Sequence, residues 1–184
     1  MTEKLINEFN RYPNLWITLI IILALLTYAT YKIKNEPNDY LKKSKSFEFN
    51  NFLFQLPSWW TMMINEKNLI RFERTDTRYD WYAEYRLGSE SLLPIKDILF
   101  NLVNELDLVF DEKNNLEEFK LEAINVVRME GMSTINGIER AYFDIFVAES
   151  EGKILIGKSH SSILNGCVEG PYFEEVLQRL KYKA

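Results

Sequence analysis

From Leu15 the segment LWITLIIILALLTYATYKI runs without a charge until Lys32. A buried core helix is the alternative, and the run's length and all-round hydrophobicity argue against it. At about 1.5 Å per residue the run is long enough to cross a hydrocarbon layer of roughly 30 Å. It is read as one transmembrane helix over residues 15–33. Trp16 sits at one end and Tyr28 and Tyr31 at the other, where amphipathic rings favour the headgroup level. A cleavable signal peptide is the rival. The preceding residues, however, mix Glu3 and Glu8 with Lys4 and Arg11 and do not form a basic leader. No cysteine lies close enough behind the run for a lipid anchor. In the leader, residues 1–14, Leu5, Ile6, Phe9 and Tyr12 share one helical face, which suits the membrane surface before Pro13 turns the chain inward.

Residues 1–46 hold 7 basic and 4 acidic side chains, and residues 47–184 hold 15 basic and 23 acidic ones, so a net charge of -5 divides into a basic tail and an acidic body. Phosphate backbones repel such a body, and nucleic acid is not an expected partner. The bilayer is, and its headgroups can attract the basic connector, residues 34–46. Lys32, Lys34, Lys42, Lys43 and Lys45 outnumber Lys4 and Arg11, which favours a cytoplasmic domain. A domain carried behind a single N-terminal anchor is more commonly exported. These tendencies oppose each other, so the expectation is a single-pass protein of the cell membrane with the side open.

Residues 47–184 are long enough for one domain with a real core. FEFNNFLFQLP reads as a strand stopped by Pro57, and LIRFER and DWYAEYRL as two more, with Ile70 and Phe72, then Trp81, Ala83, Tyr85 and Leu87, on one face. Pro94 opens a helix whose Ile95, Ile98, Leu99, Leu102, Val103 and Leu106 form a stripe for that sheet. Asp107 to Ala123 is weakly patterned and reads as a short helix or loop. VVRMEGMSTI, Asn136-Gly137 and IERAYFDIFVA predict a hairpin, and Glu151-Gly152 turns the chain into KILIGKSHSSIL. A last helix is expected from Gly170-Pro171, packing through Phe173, Val176, Leu177 and Leu180. The class is α+β: an antiparallel sheet packed by an amphipathic helix and a C-terminal helix, preceded by one transmembrane helix.

The step Leu56, Pro57, Ser58, Trp59, Trp60, the amphipathic helix, the meander with its Asn-Gly turn, and the terminal PYFEEVLQRLKY together resemble the PsbP-like and DcrB-like domains. The resemblance spans Phe47 to Tyr182 and is one of pattern order. It implies a mostly non-enzymatic accessory role, as in a subunit supporting the photosynthetic oxygen-evolving complex, bacterial envelope proteins and cytoplasmic chaperones for type VI secretion effectors. The anchor and Trp59, where a glycine is common, depart from the pattern.

Chemistry is sparse. Cys167 is the one cysteine, which rules out an intramolecular disulfide and a Cys-pair zinc site, and it reads as a small buried hydrophobe. His160 is the one histidine, without a second histidine or cysteine for a triad or metal site. Ser161 and Ser162 adjoin it, but neighbouring strand residues face opposite ways. Asp107, Asp111 and Glu112 lack the spacing of a calcium loop and read as a solvated acidic turn. No catalytic residue, metal or cofactor is expected. Trp59, Trp60, Tyr79, Trp81, Tyr82 and Tyr85 crowd the first strands. With Trp60 and Trp81 in the core, Trp59, Tyr79 and Tyr82 become the candidate partner-binding residues. A thick aromatic core is the alternative for the rings. The expected function is a membrane-anchored accessory protein that binds a protein partner, with a small-ligand or metal-ion binding domain as the alternative.

Overall fold

The computed structural model describes residues 12–74, 80–88, 93–106, 116–135 and 139–183, and divides the chain into two compact units at Lys43/Ser44. The first unit is helix α1, Pro13–Lys43. Within it, Pro13–Lys32 is long and apolar enough to cross a membrane. The helix continues through Lys43, and the residues read as connector are divided between it and a strand that begins at Ser44.

The second unit is α+β, as the pattern of alternation and helical stripes requires. Strands β1 (Ser44–Phe49), β2 (Phe52–Pro57), β3 (Trp60–Asn65), β4 (Leu69–Arg74) and β5 (Trp81–Leu87) precede helix α2 (Ile95–Glu105). Strands β6 (Leu116–Leu121), β7 (Ile124–Ile135), β8 (Glu139–Ser150) and β9 (Lys153–Ser162) come next, then helix α3 (Ile163–Gln178) and the short β10 (Lys181–Tyr182). Seven strands form one antiparallel sheet in the order β3-β4-β5-β9-β8-β7-β6, and β1-β2-β10 form a small second sheet.

Alternation sorts the large sheet into two faces. The inner face carries Trp60, Phe72, Trp81, Tyr85, Phe146 and Leu155, all buried. It is covered by α3, through Phe173, Val176 and Leu177, and by the small sheet, whose Phe54 meets Tyr85 and whose Phe47 meets Phe72. The aromatic surplus therefore forms a thick core, with Tyr85 against Phe173 at 5.9 Å and Trp60 against Trp81 at 4.5 Å between ring centres. Gly157 lies in this layer because the Phe146 ring occupies the space a methyl would need. On the outer face, α2 lays Leu99 and Val103 over Val127, Met129, Phe143, Ile145 and Val147, with Ile95, Ile98, Leu102 and Leu106 partly buried beside them.

Four readings need correction. FEFNNFLFQLP is two strands, because Asn50 and Asn51 both adopt positive φ, 49° and 74°, and fold β1 onto β2 as a tight hairpin. The segment after Trp59 is a further strand, β3. The weakly patterned stretch ends in β6, an edge strand with one half-buried face, and its part before Leu116 lies outside the described residues. The last helix begins at Ile163, well ahead of Gly170, with Pro171 inside it. Its two glycines look like a loop in sequence, yet Gly166 and Gly170 let the helix pass directly over the Tyr142 ring. Leu180 is buried but lies beyond the helix end. Leader residues before Tyr12, the Asn136-Gly137 turn, Asp107, Asp111, Glu112 and the Cys167 side chain lie outside what the structure describes, although Ile135 and Glu139 pair across that turn.

Candidate functional site

Helix α2 covers the β7-β8 part of the outer face. Beside it, strands β4, β5 and β9 present there Arg71 and Glu73, Tyr82, Glu84 and Arg86, and Lys158 and His160, by the same alternation that buries Ile70, Phe72, Trp81 and Ala83 within. The register pairs Tyr82 with His160 and His160 with Phe143, so three rings line up across the strands, 5.1 Å and 4.6 Å apart. The Arg71 guanidinium lies 3.8 Å above the Tyr82 ring and pairs with Glu73 at 3.0 Å. Lys158 reaches the ring from the other side at 5.5 Å and Glu84 at 3.7 Å.

The His160 Nδ1 is buried without a hydrogen-bond partner among the described residues. Burial lowers its pKa below the usual imidazole value; Asp80 opposes this, while Lys158 and Arg71 add to it. Burial thus favours the neutral ring, which packs between Tyr82 and Phe143. Ser161 points to the opposite, inner face, away from His160, and Ser162 is exposed at the strand end.

Between this surface and α2 runs a cleft of about 310 Å³ lined by Leu87, Ile98, Leu102 and Ile156, with Arg86 and Glu105 at its rim. A smaller hollow of about 140 Å³ continues it toward Glu84 and Lys158. No group of three or more His, Cys, Asp or Glu side chains placed to hold a metal ion occurs among the described residues.

The structure separates two of the residues singled out from sequence. Tyr82 stands half-buried on the outer face. Trp59 lies in the turn between β2 and β3, half-buried, its ring edge-on to Tyr172 of α3 at 4.9 Å. The Trp59 indole N–H is buried without a partner among the described residues. Tyr79, the third, lies outside the described residues.

The sequence reading missed a second polar constellation on the inner face. Arg128, 3% exposed, donates from Nε and Nη2 to both oxygens of the fully buried Asp144, at 3.0 and 2.9 Å. Its other donors go to Glu117 at 3.0 Å and to Glu130, and Glu174 of α3 lies 3.6 Å away. Burial alone would lower the Arg128 pKa, but Asp144 and then Glu130 and Glu174 outweigh it and raise it. Burial pushes the Asp144 carboxyl up to about 7, Arg128 opposing and the carboxylates of Glu130 and Glu174 adding to the rise. Nearer the start of α3, Glu169, fully buried, accepts from Trp60 Nε1 at 3.2 Å and pairs with Arg74. The missed signal was alternation itself: Arg128 and Asp144 occupy inward positions of otherwise apolar strands.

No family model matches this sequence, and no curated protein matches it. Solved structures do. The chain is similar to cyanobacterial PsbP (CyanoP) from Synechocystis, with a TM-score of 0.60 and 11% identity over 77% of this chain and 93% of that one. It is also similar to LpqN of Mycobacterium tuberculosis, described as involved in cell envelope biogenesis, with a TM-score of 0.53 and 10% identity over 80% and 96%. A protein from Bacteroides thetaiotaomicron matches with a TM-score of 0.54 and 14% identity over 77% of this chain, which spans 49% of its length. At these identities the likeness shows the fold alone, which is PsbP-like.

Proposed function

We propose that this chain is a single-pass membrane protein whose PsbP-like domain, with DcrB-like domains among its kin, is a non-enzymatic accessory module that binds a protein partner. The observation that carries the reading is the Arg71–Tyr82–His160 row on the part of the sheet that α2 leaves uncovered, backed by Phe143 at the margin of the α2 core. Arginine and tyrosine are over-represented among the residues that dominate binding energy, and rings held by cross-strand packing lose little entropy when a partner arrives. Anchoring rests on the apolar Pro13–Lys32 segment, and an envelope role on LpqN's description.

The test is site-specific photocrosslinking in the native membrane, with the probe at Tyr82 and, as a control, at exposed Lys120 on edge strand β6. A discrete adduct from position 82 alone supports the reading, and Tyr82→Ala should then weaken the complex by more than about 1 kcal/mol with little change in melting temperature. Equal labelling at both positions would remove this face as the contact. The cleft beside α2 favours a second reading, a small apolar ligand, since its volume lies at the lower end of the ligand-pocket range. A small molecule that co-purifies and is lost in Leu102→Trp would establish it.

A further inference from the structure

Helix α2 sends Leu99 and Val103 into the outer core and turns the adjoining row Ile98, Leu102 and Glu105 toward β5 and β9. The sheet does not fill the space beneath that row. There Arg86 of β5 stands opposite Leu69 of β4 on one side and Ile156 of β9 on the other, so no charge lies across from it on either strand. The outward charges farther along satisfy each other, Arg71 with Glu73 at 3.0 Å and Lys158 with Glu84 at 3.7 Å. Arg86 and Glu105 differ. Both are exposed and both line the cleft of about 310 Å³ and the hollow that continues it, yet among the described residues neither pairs with the other or with a third charge. The walls beside them are apolar: Ile98, Leu102 and Ile156.

Charge decides what such a cleft can hold. Arg86 and Lys158 balance Glu84 and Glu105 around its polar end, so a ligand with a net charge gains from one unpaired group what it loses to the other. An uncharged apolar ligand leaves both unmet. A zwitterion with an apolar body meets both at once, through hydrogen bonds made stronger by the charge on each side. We propose that the cleft binds a free α-amino acid with an apolar side chain, its carboxylate on Arg86, its ammonium on Glu105 and its side chain against Ile98, Leu102 and Ile156. The inference rests on the reading of this cleft as a ligand pocket and names the occupant. A volume at the lower end of the ligand-pocket range suits a molecule of that size.

The experiment is a calorimetric titration of the full chain in lipid nanodiscs with leucine and phenylalanine, and with analogues that keep the side chain but carry one charge: isopentylamine and isocaproate, phenethylamine and hydrocinnamate. One or both amino acids should bind, and the matching analogues should bind about tenfold more weakly or worse. Arg86→Gln should erase the preference for the amino acid over the amine, and Glu105→Gln the preference over the acid. Melting temperatures should stay unchanged, because both side chains stand in water. Leu102→Trp, which fills the cleft, should abolish binding of every compound. Analogues that bind as well as the amino acids and are lost in Leu102→Trp would keep the pocket and overturn the zwitterion. Preferences that survive both Gln variants, or amino-acid binding that survives Leu102→Trp, would equally overturn the proposal. So would no binding of either amino acid at about 10 mM, and the pocket itself would then rest on the co-purification test alone.

Discussion

Arg128 enters β7 where the alternation of Val127, Arg128 and Met129 sends it to the inner face beside Phe146, and nothing apolar about a guanidinium justifies that place. Its partners do. Removing it as Arg128→Ala strands Asp144 in the interior and should cost about 3 kcal/mol or more in denaturant titrations. Replacing both members of the pair by apolar residues of similar volume, Arg128→Met with Asp144→Leu, should cost far less than the single change, because it removes the uncompensated charge together with its partner. Trp59 and Trp81 offer a second contrast. Trp81 is 2% exposed with its N–H on Ser159 Oγ, so Trp81→Ala should cost about 3 to 5 kcal/mol. Trp59, half in water and touching Tyr172 by an edge, should cost about 1 to 2 kcal/mol when truncated, as melting curves would show. The same side chain thus weighs differently in a sealed strand position and in a turn.

At the scale of elements, the two helices hold opposite faces of one sheet by different means. Helix α2 is bound by a periodic apolar stripe, so Leu99→Ala at a sealed position should cost about 3 kcal/mol, and Leu102→Ala, beside the cleft, about 1 kcal/mol. Helix α3 is bound by Phe173, Val176 and Leu177 and by close backbone approach, so Gly166→Ala should destabilise it by forcing a methyl to 2.6 Å from the Tyr142 ring. This difference explains what was legible in the chain. The stripe of α2, the alternation of β4 and β5, the strands β8 and β9 as such, and the Trp60 and Trp81 burial could be read directly. The start of α3 could not: Gly166, Gly170 and Pro171 are helix-averse locally, and only the Tyr142 ring beneath makes small residues the right choice. Asn50-Asn51 hid its hairpin because either asparagine alone is compatible with an extended strand. The Tyr82–His160 row depends on β5 lying beside β9, strands far apart in the chain, and no local pattern announces that pairing.

For the whole molecule, the decisive measurement is fractionation. The chain should remain with the membrane after carbonate or high-salt washing, since apolar burial and not charge would hold it there. A shortened chain in the supernatant would make Leu15–Ile33 a cleaved signal. A fragment beginning at Ser44 should fold by itself, because the second compact unit starts there and carries its own core. Its junction to α1 has a mechanical consequence. Load arriving through Lys43 enters at Ser44, the first residue of an outermost strand, opposite Pro57, which has no N–H to offer. A steady pull would therefore work on the weakest rung first and then free β1 rung by rung, as a zip opens, while the seven-stranded sheet stays intact. Freed in this way, β1 would lengthen the link between α1 and the sheet by its six residues, at the cost of drawing Phe47 off Phe72.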